Sequence, residues 1–180
     1  MRKYLAAASF AAAAIAVTAP AQAQEAAQPF NGFHVEAITG YDHVEDGDDG
    51  ILYGIGAGYD FRIDNVVLGI EAEALESTAG QCAGGTCVDA GRDLYIGGRI
   101  GGVVTDNVLL YAKAGYTNAR VVATTGNTTV GANLDGLRIG GGVEYRFRNS
   151  PLSLRAEYRY SNYEAGVDRH QGVLGLAYRF

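Results

Sequence analysis

From residue 31 onward, polar and apolar positions alternate along the chain. In "VLGIEAEAL", Leu68, Ile70, Ala72 and Ala74 fall on one side and Gly69, Glu71 and Glu73 on the other. "LSLRAEYRYS" divides Leu154, Ala156, Tyr158 and Tyr160 from Arg155, Glu157 and Arg159, and a third stretch divides Leu137, Ile139, Val143, Tyr145 and Phe147 from Arg138, Glu144 and Arg146. A period of two is the signature of strands, and no window after the leader keeps apolar residues at helical spacing. The pattern predicts an all-β protein of eight strands, over 31–41, 51–62, 66–76, 93–103, 108–118, 136–147, 152–163 and 170–180.

Each predicted strand has about the length that a tilted strand needs to cross a bilayer. The connections alternate in kind. "IDN", "TDN" and "RNSP" are short and built from turn residues, whereas "HVEDGDDG", "STAGQCAGGTCVDAG", "ARVVATTGNTTVGANLD" and "EAGVD" are the polar loops of the other end. Short turns at one end and loops at the other is the asymmetry of an outer-membrane barrel, and an even strand count puts both termini on the short-turn side.

Alternation alone leaves open a soluble barrel or sandwich with its apolar face inward. Two further features favour the reverse orientation. Tyr59 and Phe61, Tyr145 and Phe147, and Tyr178 and Phe180 close strands two, six and eight at the short-turn end, while Tyr41, Tyr53, Tyr116 and Tyr160 stand near the loop end. Two aromatic girdles suit the headgroup levels of a bilayer. The opposite face carries Glu71, Arg99, Lys113 and Glu157 near mid-height with Glu73, Glu144, Arg155 and Arg159 close by, and Arg138 on the same face. Charges withdrawn from water need partners, and a balanced set in a narrow lumen supplies them.

The leader "MRKYLAAASFAAAAIAVTAPAQAQ" has Arg2 and Lys3, an apolar run and the triplet Ala21-Gln22-Ala23. It reads as a secretory signal peptide over residues 1–23, cleaved after Ala23, because the apolar run is too short to span a bilayer. A short segment, 24–30, then precedes a barrel over 31–180. Cleavage would remove two of 14 Lys and Arg and none of the 20 Asp and Glu, moving the net charge from −6 to 12 − 20 = −8. Such a chain, without a basic run, is a poor partner for nucleic acid. Cys82 and Cys87 are the only cysteines, and in an exported chain they are expected to form a disulfide. Two thiols with no histidine nearby cannot complete a zinc site.

The leader, the eight-strand pattern, "LRAEYRYSNY" and the final "HQGVLGLAYRF" resemble the small outer-membrane β-barrel superfamily, which includes the transmembrane domain of outer-membrane protein A, the opacity-type proteins and porin-family surface antigens. The resemblance implies that Tyr178 and Phe180 form a terminal signal read by the barrel-assembly machinery. It also implies an interior salt-bridge gate, mapping onto Glu71 or Glu73 with Arg99 and Lys113. Outer-membrane lipid and lipopolysaccharide are the surroundings it implies.

Catalytic readings fare poorly. His34, His43 and His170 are far apart in sequence and are expected at different heights, as solvated or lumen-lining side chains. Lipid A deacylases share the eight-stranded barrel and place a histidine two residues before their serine, but Arg159 occupies that place before Ser161. "GIGAGYD", "GGRIGG" and "RIGGG" lie in alternating strands with no helix after them, so they are not phosphate loops. Asp42, Glu45, Asp46, Asp48 and Asp49 lack the spacing of an EF-hand and read as a solvated loop, the alternative being divalent-ion bridging to surface lipopolysaccharide. The expectation is a barrel without catalysis, metal or cofactor, serving envelope integrity or loop-mediated contacts; the alternative is a gated channel of low conductance.

Overall fold

The computed structural model describes residues 28–44 and 49–180. Eight long strands close into an antiparallel ring: β1 (Gly32–Val44), β2 (Gly50–Ile63), β3 (Val66–Ser77), β5 (Thr86–Thr105), β6 (Val108–Thr125), β7 (Thr128–Arg146), β8 (Leu152–Tyr163) and β9 (Val167–Arg179). A four-residue strand, β4 (Gly80–Ala83), carries the line of β3 onward beside β5. β9 pairs with β1 to complete the ring, so the wall has no open edge. Following paired positions around from Gly32, through Asp60, Gly69, Arg99, Lys113, Gly140, Arg159 and Gln171, returns to β1 at Asp42, ten residues beyond the start. That stagger over eight strands gives a tilt of about 40°. The proposed signal peptide, residues 1–23, lies outside the described residues.

The short turns fall where Asp64-Asn65, Asp106-Asn107 and 147–151 allow them, with Asp64 and Asn149 at positive φ. The other end departs from expectation. β5, β6 and β7 run well past the predicted limits of 93, 118 and 136, and their outer halves form a sheet of four strands with β4 that stands above the wall. The cause is turn chemistry in segments that read as loops. Thr125 pairs with Thr128 around Gly126-Asn127, with Gly126 at φ 58°, so a two-residue hairpin continues the strands. Likewise Cys82 pairs with Cys87 around Gly84-Gly85, and the two cysteines are joined in a disulfide.

So small a ring contributes about 2 kcal/mol by chain entropy and touches no wall strand pairing. The double variant Cys82→Ser/Cys87→Ser is therefore expected to be cut faster by protease between β4 and β5. Its heat-modifiable gel mobility, which reports the closed wall, should not change.

The apolar face points outward: Ile70, Ile55 and Leu137 are each about two-thirds exposed, whereas Glu71, Glu73 and Arg138 on the alternate positions are buried. Inside, the turn end is closed by Phe30, Val67, Leu109 and Tyr111 with Val103 packed beside them. A second apolar cluster, Ile38, Leu52, Leu75 and Val173, fills one side of the lumen nearer the loops. Small residues make room for the large polar ones between. A Cβ on Gly97 would sit 2.5 Å from Tyr95 Cζ, so only glycine admits that ring there.

Candidate functional site

The lumen is a stack of three linked charge clusters. In the middle, Lys113 Nζ lies 2.5 Å from Glu71, 2.6 Å from Glu73 and 3.2 Å from Glu157. Arg159 pairs with Glu73 at 2.8 Å and closely with Glu157, while Arg155 reaches Glu36 at 2.7 Å and Glu71 and Glu157 at 3.3 Å each. Tyr111 donates to Glu157 at 2.5 Å, and the Lys113 ammonium stands 4.4 Å over the Tyr95 ring. Toward the short turns, Asp60 takes Arg99, Arg179 at 2.7 Å and His34 at 3.3 Å, and Glu144 takes Arg99 and Arg179 at 3.2 Å each. Toward the loops, Asp93 takes Arg138 at 2.5 Å and Arg169 at 3.4 Å, and Arg169 also grips Asp42.

All nine charged residues singled out in the sequence are buried, and the strands bring them together. The sequence reading omitted Glu36, Asp60, Asp93, Arg169 and Arg179, along with the phenols of Tyr95 and Tyr111. It also placed Asp42 in a solvated loop. Asp42 is fully buried because β1 continues to Val44 and turns it inward, where Ser77 and Gln171 hydrogen-bond it. Glu45, Asp46 and Asp48 of that loop lie outside the described residues.

The salt-bridge gate does not map as the resemblance implied. Glu71 and Glu73 share Lys113, but Arg99 pairs with Asp60 and Glu144, nearer the short turns. Strand tilt carries side chains at similar counted height to different levels. The carboxylates of Glu36, Glu71 and Glu73 approach within 4.8 Å of one another, a spacing that would suit an ion. Lys113, Arg155 and Arg159 stand in that role instead.

On the outer wall, Tyr59, Phe61, Tyr145, Phe147, Tyr178 and Phe180 are all exposed at the turn end. Neighbouring rings touch within strands, at 4.7 Å for Tyr59 and Phe61, 5.6 Å for Tyr145 and Phe147, and 4.9 Å for Tyr178 and Phe180. Phe180 also meets Phe33 across the β1–β9 seam at 5.6 Å. Above them a shallow apolar groove of about 550 Å³ crosses Ala37, Ala57, Ala72 and Ala74 between Ile55 and Leu176. Ser161 is buried in the lumen, where Arg138 Nε donates to it at 2.8 Å, so it does not occupy the outer-surface place of a deacylase serine.

The loop-side rim differs from expectation in one more respect. His43 and His170 are directly paired in the β1–β9 register rather than at different heights, because both strands run further toward the loops than predicted. Beside them, Tyr41 and then His43 hold the Asp49 carboxyl below the ordinary range, and Asn162 and then Tyr160 do the same for Asp168.

A profile of the family described as "Outer membrane protein beta-barrel domain" matches residues 9–180. A 25 kDa outer-membrane immunogenic protein of Brucella ovis is 28% identical over 124 residues, which cover 69% of this chain and 61% of that protein. Among solved structures, the attachment invasion locus protein Ail of Yersinia pestis superposes with a TM-score of 0.62 at 16% identity, over 83% of this chain and 99% of that one. Neisserial surface protein A gives 0.62 at 20% identity, over 83% and 98%. At these identities the structural likeness is one of fold.

Proposed function

The chain belongs to the outer membrane protein β-barrel domain family, and from that membership we propose that it is a non-catalytic envelope protein whose barrel holds a projecting sheet at the cell surface. It is an outer-membrane protein. The observation that carries the finer reading is the lumen: charges paired along its depth and an apolar plug at Phe30 fill the interior with buried side chains. Eight strands give an interior only about wide enough for such a filling.

Binding capacity then resides outside the wall. β6 runs nine residues beyond Tyr116 of the upper girdle, about 30 Å of strand, and the hairpin it makes with β7 carries exposed Thr125, Asn127, Thr128 and Val130. Charge narrows the partners. The Yersinia pestis protein has been solved with the heparin analogue sucrose octasulfate. Here the projecting sheet offers only Arg92 and Arg120, so a neutral or cationic surface suits it better than a sulfated polyanion.

Planar-bilayer recording of the refolded protein tests this reading. No stepwise conductance is expected from the wild type or from Arg99→Ala; discrete openings in the wild type would replace it with the gated-channel alternative. A variant whose β6–β7 hairpin is shortened between Arg120 and Asn133 should keep heat-modifiable mobility. Its cells should resist detergent as wild-type cells do and lose only surface attachment.

A further inference from the structure

We propose that His43 and His170 form a site for a borderline divalent transition cation of the Zn²⁺ class, on the outer wall at the loop-side rim. The two residues face each other across the β1–β9 seam, with ring centres 6.4 Å apart and planes 35° from parallel. Two imidazoles bound to one ion at 2.0–2.1 Å have centres about 5–6 Å apart, so side-chain rotations at an exposed rim bring the pair onto one ion. Both rings have the same nitrogen engaged. His43 Nδ1 lies 2.6 Å from Asp49 Oδ1, and His170 Nδ1 lies 2.6 Å from Tyr158 Oη.

That arrangement leaves the two Nε2 atoms as the protein ligands, and at an exposed rim water would complete the four-coordinate shell. With an ion at Nε2 the proton resides on Nδ1, where Asp49 accepts it from His43 and the Tyr158 hydroxyl oxygen accepts it from His170. A carboxylate behind a ligating histidine fixes the ring and raises its basicity, which is the usual support of a metal-bound imidazole. The charge around the pair has the sign that a cation needs. Asp49 and Asp168 flank it, Asp168 being held by Tyr160 at 2.9 Å and Asn162 at 2.6 Å, while the adjacent Arg169 turns into the lumen toward Asp42. An anion such as a lipid phosphate would meet those two carboxylates. Nitrogen ligands favour Zn²⁺, Cu²⁺ or Ni²⁺ over Ca²⁺ and Mg²⁺, which take oxygen.

The test is calorimetric titration of the untagged, refolded protein with Zn²⁺, with heat-modifiable mobility to show that each variant is folded. One equivalent of Zn²⁺ is expected to bind. Binding should be lost in His43→Ala and in His170→Ala and kept in His34→Ala, whose imidazole lies in the lumen. Asp49→Asn should bind about tenfold more weakly, as loss of a supporting carboxylate does elsewhere. Cu²⁺ loaded in place of Zn²⁺ should show nitrogen hyperfine coupling in electron paramagnetic resonance, absent from either rim variant. No heat with folded wild type, undiminished binding in both His43→Ala and His170→Ala, or displacement of Zn²⁺ by an equal concentration of Ca²⁺ would each overturn the assignment.

Discussion

Replacing Arg155 with alanine is expected to destabilise the barrel by about 3–5 kcal/mol, the effect of removing one partner from a buried ionic cluster. The guanidinium serves Glu36, Glu71 and Glu157 together, donates from Nε to the Tyr111 hydroxyl at 3.2 Å and lies 4.9 Å over that ring. Lys113 and Arg159 still answer Glu71 and Glu157 in the variant, but Glu36 loses the cation that holds it. Urea titration in detergent, followed by gel mobility without heating, measures the loss. Adding Glu36→Gln should recover part of it, because the freed carboxylate is then neutral. A loss below about 1 kcal/mol would mean that water solvates the freed carboxylates, as it does at a protein surface, and would refute a dry, side-chain-filled lumen.

Deleting Phe180 is expected to reduce folded protein in the outer membrane severalfold, while Phe147→Ala leaves the amount close to wild type. Both rings belong to the same girdle, yet their neighbours differ. Phe147 packs on Tyr145 of its own strand. Phe180 packs on Phe33 and donates its backbone N–H to Phe33 O at 3.0 Å, across the pairing of β9 with β1 that joins the two ends of the barrel. That closure carries the largest loop entropy of any strand pairing here. Refolding into vesicles divides two proposed roles. A deletion that refolds normally there but fails in cells points to recognition by the assembly machinery, and failure in both points to the seam. Equal effects of the two changes in cells would mean that only the girdle matters.

The wall was legible because one face meets lipid and the other a closed lumen, so almost every position declares its side. The same logic held residues that went unread. Asp60 lies between Tyr59 and Phe61, and Arg179 between Tyr178 and Phe180; if the aromatics face lipid, the charges between them must face inward, and there they meet. Which cation meets which carboxylate was not legible. Partners are set by the ten-residue stagger of the closed ring, and no single strand records it, which is why Arg99 was matched with the wrong acids. Phe30 was missed for a different reason: the plug comes from a segment that has no periodicity. The projecting sheet was hidden by composition, since "TTGNTT" is as polar as a loop although its Gly-Asn pair is a hairpin signal.

The closed register also governs how such a chain can change length. Losing one residue from the turn-side start of β8, such as Ser153, would exchange the faces of the residues that follow, sending Arg155, Glu157 and Arg159 into the hydrocarbon and Tyr158 into the lumen. Each arginine so placed costs about 2–4 kcal/mol near the midplane, so the pair removes much of the roughly 5–15 kcal/mol that a domain holds in reserve. Because the ring has no free edge, no neighbouring strand can slip to absorb the error. At the hairpin of Gly126 and Asn127 the same deletion only shortens a tip that stands clear of the membrane. Insertions and deletions that survive selection should therefore concentrate at the loop end, which is free to diverge above a wall whose length is fixed.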